Sequence, residues 1–245
     1  MAMVRGNNKL GKDIWHWSLP ADKKICTTAS DLCASFCYAK RGHYRYDNVQ
    51  ASLWANYDRT RESGFVSSIL DDIRKNAIDL LRMHASGEFY EPPYVRKWIH
   101  IASRARRTLF FGYTRSWRKE PFIQPLTDLA KQPNVRLWLS SDRETGPPPE
   151  MLHTRVAYMQ VGDDDIPQFP VDLVFRTKRK PTRKRVSGVL VCPVENGTTK
   201  TTCQACRLCI DRQYQLDRIN EFQRVSGDSP AATLRTARRV ARAHP

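Results

Sequence analysis

Short hydrophobic runs alternate with longer amphipathic segments along this chain, and each kind of segment predicts a different element. Residues 13–19 alternate apolar with polar side chains, which predicts a strand that Pro20 ends. Further strands are predicted at residues 78–84, 109–113, 135–140, 156–161, 172–176 and 189–191, and helices at residues 47–62, 65–75, 92–104 and 121–131. Strands that alternate with helices indicate a parallel sheet with helices packed on it. The predicted fold is α/β: an incomplete or irregular parallel barrel-like sheet in a single domain, residues 1–225, followed by a basic tail, residues 226–245.

Polar and reactive side chains follow the predicted strands directly. A loop with three cysteines, residues 21–43, comes after the first strand, and residues 84–89 come after the second. Residues 113–117 and 140–143 follow the next two strands with further polar side chains. Because parallel sheets and barrels build their sites at the carboxyl ends of their strands, the sequence predicts a functional site at this edge.

The seven cysteines fall into two tight groups at opposite ends of the chain. The first group consists of Cys26, Cys33 and Cys37, and the second of Cys192, Cys203, Cys206 and Cys209. Thiolates this close in sequence are suited to binding a soft metal centre. Three cysteines separated by two residues each, with a remote Cys-Pro pair, match the spacing of the ligands of an iron–sulfur cube. We therefore expect the second group to form an iron–sulfur cluster loop.

Other interpretations of the cysteines stay open. Zinc also accepts four thiolates, although usually from two C-x2-C pairs separated by a longer loop. Free or disulfide-bonded cysteines are the remaining alternative. The first group offers only three thiolates, so a cube bound there keeps one iron free for another ligand. This makes the first group the candidate for chemistry and the second the candidate for structure or electron relay, with one or two 4Fe–4S clusters in total.

Positive charge is the second strong signal, because the formal net charge is +16 at pH 7. An excess of this size is typical of proteins that bind a polyanion, and nucleic acid, either DNA or RNA, is the first candidate. Basic residues crowd one ten-residue stretch, and four arginines of the tail share one face at helical spacing. The expected nucleic-acid contacts are Arg176, Lys178, Arg179, Lys180, Arg183, Lys184, Arg185, Arg235, Arg238, Arg239 and Arg242.

Membrane and secretory signals are missing from the sequence. No apolar run approaches the roughly 20 residues that a membrane-spanning helix needs. The first residues lack the apolar segment of a secretory signal. Clustered thiols also suit a reducing compartment. We therefore expect a cytoplasmic protein that has no membrane partner.

Several short motifs occur together in a combination that resembles a known family. They are Asn8-Lys9-Leu10-Gly11, Trp17-Ser18-Leu19-Pro20, Cys37-Tyr38-Ala39, His84-x-Ser86-Gly87-Glu88-Phe89, Tyr113-Thr114-Arg115-Ser116-Trp117 and the closing C-x2-C-x2-C. Over residues 7–215 the chain resembles the gene product 88 family of phages and plasmids. The resemblance implies an architecture and leaves the reaction open.

A more distant resemblance is to radical S-adenosylmethionine enzymes. Those enzymes carry three cysteines after the first strand with an aromatic residue before the last, and Phe36 stands at that position. They also carry a Gly-Gly-Glu-like motif after the second strand that meets the methionine end of the cofactor. Ser86, Gly87 and Glu88 stand at the matching place, although the spacing C-x6-C-x3-C differs from the usual C-x3-C-x2-C. The resemblance implies S-adenosylmethionine as a cofactor, bound by these four residues.

Three functional hypotheses result from these observations. The leading one is an iron–sulfur protein of phage or plasmid type that engages nucleic acid, with radical S-adenosylmethionine-like chemistry implied by the second resemblance. The rival is a non-catalytic nucleic-acid-binding protein of replication or regulation with structural or redox-sensing clusters, and the third is a zinc-stabilised nucleic-acid-binding protein. No catalytic residue is assigned. His84 has three interpretations: a fourth cluster ligand, a proton carrier, or a hydrogen-bonded core histidine.

Overall fold

Seven strands form one sheet in the computed structural model, which describes residues 3–177, 189–196 and 201–211. The strands are β1 (Val4–Asn7), β2 (Gly11–His16), β3 (Leu80–Met83), β4 (Leu109–Thr114), β5 (Val135–Ser141), β6 (Thr154–Gln160) and β7 (Leu173–Arg176). Their order in the sheet is their order in the chain. β1 and β2 pair antiparallel, and every later neighbour pairs parallel. The result is a single α/β domain built on a mixed sheet.

The helices lie mostly in the connections between the parallel strands. They are α1 (Asp31–Ser35), α2 (Asp47–Arg61), α3 (Phe65–Lys75), α4 (Pro92–Arg104), α5 (Ile123–Ala130), α6 (Pro193–Asn196) and α7 (Cys203–Cys206). α3 buries Phe65, Ile69 and Ile73, one residue per turn, which is the spacing of an amphipathic helix. α4 begins at Pro92, because the fixed φ of proline suits the first turn and its missing N–H costs nothing there.

The two faces of the sheet are covered differently. Parallel crossovers are right-handed, so strands that follow one another in chain order carry their connecting helices on one face. Phe65 of α3 and Trp98 of α4 accordingly pack in one core with Met83 and Phe110 of the sheet. On the other face, alternate residues of the strands pack against the C-terminal cysteine segment. These contacts involve Leu80 and Phe111 with Ile210, and Trp138 and Leu173 with Leu208 and Cys192. The cysteine segment therefore lies across the face opposite the helices.

Most elements lie where the hydrophobic pattern predicts them, and two differences have clear causes. β1 was not predicted, because it is a mostly exposed edge strand whose four residues include one large apolar side chain. The strand predicted at 189–191 is wrong: Val191 forms only an isolated bridge with Val174. A mixed α/β domain is confirmed, whereas a barrel is not, since no pairing joins β7 to β1 among the described strands. The predicted tail, residues 226–245, lies outside the described residues.

Among the helices that the structure describes, none has the length and apolar character required to cross a bilayer.

Candidate cysteine-lined site

All seven cysteines line one cavity of about 430 Å³. None of them forms a disulfide bond. The cavity is also lined by residues at or after the ends of β3, β4, β5 and β7, among them Glu88, Arg115, Ser140 and Thr177. A volume of this size is typical of small-molecule sites. The structure thus brings together two cysteine groups that are separated by more than half of the chain.

The loop that carries the first cysteine group is fixed by its own helix cap. Ser30 caps α1, since its hydroxyl oxygen accepts a hydrogen bond from the Cys33 backbone N–H at 3.0 Å. The same hydroxyl donates to Asp142 Oδ2 at 2.6 Å. Arg118 Nη1 donates to the Thr28 carbonyl oxygen at 2.7 Å. The loop is therefore held against residues that follow β4 and β5.

Arg115 joins the ends of three strands beneath this loop. Its guanidinium Nη1 lies 2.8 Å from Asp142 Oδ2, and both side chains are buried. Its backbone N–H donates to Glu88 Oε2 at 2.6 Å. Glu88 Oε1 accepts two more hydrogen bonds, from Thr114 Oγ1 and from the Phe89 N–H, both at 2.8 Å. Because Glu88 follows β3, Arg115 follows β4 and Asp142 follows β5, one buried network fixes this edge of the sheet.

The four residues expected to contact S-adenosylmethionine all line the cavity: Phe36, Ser86, Gly87 and Glu88. Ser86 Oγ donates to the Leu19 carbonyl oxygen at 2.8 Å, which ties the turn to the segment after β2. Gly87 has φ +79°, and a Cβ there would lie 2.5 Å from Leu19 Cβ, so only glycine fits. Burial raises the pKa of Glu88, although its three hydrogen bonds act in the opposite direction. These hydrogen bonds fix the turn, and Glu88 lies on the cavity wall.

Backbone hydrogen bonds anchor the second cysteine group to the sheet. The Cys203 N–H donates to the Lys9 carbonyl oxygen at 2.9 Å, and the Cys192 N–H donates to the Val174 carbonyl oxygen at 2.9 Å. Trp138 Nε1 donates to the Cys209 carbonyl oxygen at 3.1 Å. The turn at the β1–β2 hairpin, β5 and β7 therefore each hold one part of this segment.

The buried thiols of both cysteine groups have raised pKa values. Burial raises the pKa of Cys26, Cys33, Cys203 and Cys209, and it raises the pKa of Cys192 to about 12. Thiols in such surroundings stay protonated unless a metal binds them. Thiolate sulfur is the donor type that soft metal centres prefer. In the part of the chain that the structure describes, no three His, Cys, Asp or Glu side chains converge on a site for one metal ion.

His84 lies in the aromatic core beside the cavity. Its Nε2 lies 3.0 Å from the Tyr94 hydroxyl oxygen, and its ring packs edge-on against Phe89 with the centroids 4.4 Å apart. Burial, together with the nearby Arg82 cation, lowers the pKa of His84 to about 3. Of the three interpretations, these contacts favour the hydrogen-bonded core histidine.

Only one of the expected nucleic-acid contacts lies within the described residues. Arg176 is 8% exposed, lines the cavity and donates from Nε to Gln160 Oε1 at 2.9 Å. A side chain buried in this way does not suit a surface contact with a phosphate backbone. The other expected contacts, in residues 178–185 and 235–242, lie outside the described residues.

Sequence reasoning missed several polar residues of the cavity wall. They are Arg82, Tyr38 and Tyr44. Tyr113 also lines the cavity, as the strand-end argument predicted. One signal for Arg82 was present, because an arginine stands in the middle of a predicted buried strand, Ile78–His84. No local pattern marks Tyr38 and Tyr44 as cavity residues, because the tertiary fold brings them there.

Comparison with known proteins identifies similar sequences. The family model described as Gene product 88 matches residues 1–212. The "Gene 88 protein" of Mycobacterium phage D29 is 25% identical over 128 residues, which cover 48% of this chain and 52% of the relative. The "Gene 88 protein" of Mycobacterium phage L5 is 24% identical over 128 residues, with the same shares. The matched part thus spans about half the length of these curated relatives. No solved structure matches this chain.

Proposed function

This chain belongs to the gene product 88 family of phage proteins, and we propose that it is an iron–sulfur protein with a cluster at each cysteine group. The observation that carries the proposal is that all seven cysteines, none in a disulfide, line one cavity. Three of them have the C-x2-C-x2-C spacing of 4Fe–4S ligands, and a fourth belongs to a remote Cys-Pro pair. We further propose that the sheet is an incomplete barrel, which the sequential strand order supports.

The first group is the proposed reactive centre. Cys26, Cys33 and Cys37 would bind three corners of a cube, and the fourth iron would face the cavity. Phe36 supplies an apolar wall there, and Glu88 supplies a carboxyl group that a positively charged amine could contact. S-adenosylmethionine, when bound, would supply a 5′-deoxyadenosyl group for radical chemistry. The buried network through Arg115 would hold the loop and the Glu88 turn in one arrangement.

The second group is the proposed structural or relay centre. Its four cysteines lie in the C-terminal segment that packs against the sheet, and Cys192 is 4% exposed. A cluster here would fasten the segment to the face opposite the helices, because metal binding contributes to folding. Both groups line the same cavity, so electrons would have only a short distance to travel between two clusters.

Nucleic acid is the proposed partner, and the supporting observation is the formal net charge of +16. The basic stretch at residues 178–185 and the arginines of the tail would contact phosphates. This part of the proposal does not depend on catalysis. A binding protein with two structural clusters would carry the same charge.

Incubation of the reduced, cluster-loaded protein with S-adenosylmethionine tests the catalytic part. We expect release of 5′-deoxyadenosine and a changed electron paramagnetic resonance spectrum. Cys37→Ala removes a ligand of the first group and should abolish both signals. In Cys206→Ala, the spectrum of the first cluster should still change when S-adenosylmethionine is added. If the wild-type protein holds two clusters and shows neither signal, the protein is not a radical enzyme and the binding function remains.

A further inference from the structure

Arg82 is a cation on the cavity wall whose charge has no counterpart in the described structure. It lies on β3, where its side chain is half-buried and lines the cavity together with residues of both cysteine groups. Its guanidinium carbon lies 5.5 Å from the centre of the Tyr113 ring. Its Nε is buried and has no hydrogen-bond partner. A buried guanidinium donor without an acceptor is costly, so something that binds here would stabilise it.

The other charged groups of the cavity have partners of their own. Lys9 forms an ion pair with Glu195, and Arg115 forms one with Asp142. Among the described residues, no Asp or Glu forms an ion pair with Arg82. The ionisable groups that interact with Arg82 are the hydroxyls of three tyrosines, the Cys203 thiol and the imidazoles of His16 and His84, none of which is an anion in its neutral form. Four cationic side chains and two carboxylates line the cavity, so its lining has an excess of positive charge.

We propose that Arg82 binds the anionic group of a small molecule that enters the cavity. The group would be a carboxylate or a phosphate, because the guanidinium fork pairs with two oxygens at once. The wall around Arg82 also contains apolar side chains, so the remainder of the molecule would be apolar or aromatic. These side chains are Phe36, Phe111, Met159, Phe175 and Leu208. The proposal rests on the cavity and its charges, and it does not require radical chemistry.

Calorimetric titration with phenyl phosphate and with benzyl alcohol tests this inference, because the two probes differ mainly in charge. The protein is purified anaerobically as the full chain, and its iron content is measured in every sample. We expect phenyl phosphate to bind at least about tenfold more tightly than benzyl alcohol, since a charge-assisted hydrogen bond contributes more than a neutral one. Arg82→Gln should abolish this preference. Arg82→Lys should keep part of it, and it serves as the test if Arg82→Gln does not fold.

Arg74→Gln is the matched control, because it removes the same charge from an exposed position on α3. Its preference for phenyl phosphate should equal that of the wild-type protein. Equal binding of the two probes by the wild-type protein would overturn the proposal. So would an undiminished preference in Arg82→Gln, or a preference lost equally in Arg74→Gln, which would indicate adsorption to the basic surface. If Arg82→Gln shifts the reduction potential of a cluster and leaves phenyl phosphate binding unchanged, Arg82 serves the cysteine thiolates instead.

Discussion

Arg115 Nη1 lies 2.8 Å from Asp142 Oδ2, and this buried ion pair connects the end of β4 to the end of β5. Asp142 also accepts the hydroxyl hydrogen bond of Ser30, which caps the helix that carries Cys33. The position of the first cysteine group therefore depends on an ion pair between two residues that directly follow strands of the sheet. Loss of the pair would affect both the stability of the fold and the geometry of the cysteines.

Asp142→Asn should lower the free energy of unfolding by about 3–5 kcal/mol, because it leaves the Arg115 cation buried without its partner. The measurement is chemical denaturation followed by circular dichroism. Asp128→Asn is the control: it breaks an exposed pair with Lys131, and its effect should stay within about 1 kcal/mol. An equal effect of the two substitutions would show that the buried pair contributes no special stability.

His84 should make stability depend on pH. Its pKa is lowered to about 3 in the folded protein, whereas the ordinary value in an unfolded chain is 6.5. Between these two values the unfolded chain binds the proton and the folded protein does not, so stability falls as pH falls below 6.5. At pH 5 the contribution of His84 to this loss should be about 2 kcal/mol relative to pH 7.

Denaturation at pH 7 and pH 5 checks this, with His84→Gln as the variant. The wild-type protein should lose more stability on acidification than His84→Gln does. His100→Gln, at an exposed position, should behave as the wild type. A wild-type protein and a His84→Gln variant with the same pH dependence would contradict the neutral, buried assignment of His84.

Neutralising the basic stretch should weaken nucleic-acid binding for every sequence. The variant carries Arg183→Gln, Lys184→Gln and Arg185→Gln. A protein that neutralises fewer phosphates releases fewer counterions. The slope of log affinity against log salt should therefore become less negative, by up to about 0.9 for each phosphate of double-stranded DNA that the variant no longer neutralises. Fluorescence anisotropy with single- and double-stranded oligonucleotides at several salt concentrations measures both effects.

A second triple variant, with glutamine at the exposed lysines Lys23, Lys24 and Lys75, controls for total charge. Its salt slope should stay close to that of the wild-type protein. Equal losses in the two variants would assign binding to the overall charge. If the wild-type protein binds no oligonucleotide at low salt, nucleic acid is not its partner.

Cys206→Ala should reduce both iron content and soluble yield, since the proposed second cluster would hold the C-terminal segment in its folded form against the sheet. Cys26→Ala should reduce iron content with a smaller loss of yield, because hydrogen bonds through Ser30 and Arg118 already hold the first loop. Iron assay and size-exclusion chromatography separate the two outcomes. Equal yields would indicate that the second group does not support the fold.

The sequence predicted the local elements well, because their signals are local. Pro92 marks the start of α4, and the spacing of Phe65, Ile69 and Ile73 marks α3. The strand-end argument also anticipated that His84 to Phe89 and Tyr113 to Trp117 would lie near the first cysteine loop. These predictions needed only the period of the hydrophobic pattern and the direction of parallel strands.

The sequence could not predict how the distant segments meet. Cys209 reaches the sheet through a hydrogen bond from Trp138, and nothing within either segment specifies that contact. Arg115 was recognised as a strand-end residue, but its pairing with Asp142 depends on the order of β4 and β5 in the sheet. The arginine within a predicted buried strand was a signal for Arg82, but its place on the cavity wall could not be predicted. Which face of β3 lines the cavity depends on the segment that packs across it.

The iron and acid-labile sulfide content of the anaerobically purified protein tests most directly whether both cysteine groups hold clusters. The wild-type protein should absorb near roughly 400 nm and contain about eight iron and eight sulfide per chain, as two cubes require. A variant with alanine at Cys26, Cys33 and Cys37 should retain about half of each. Stoichiometric zinc without sulfide in the wild-type protein would contradict the assignment of both groups.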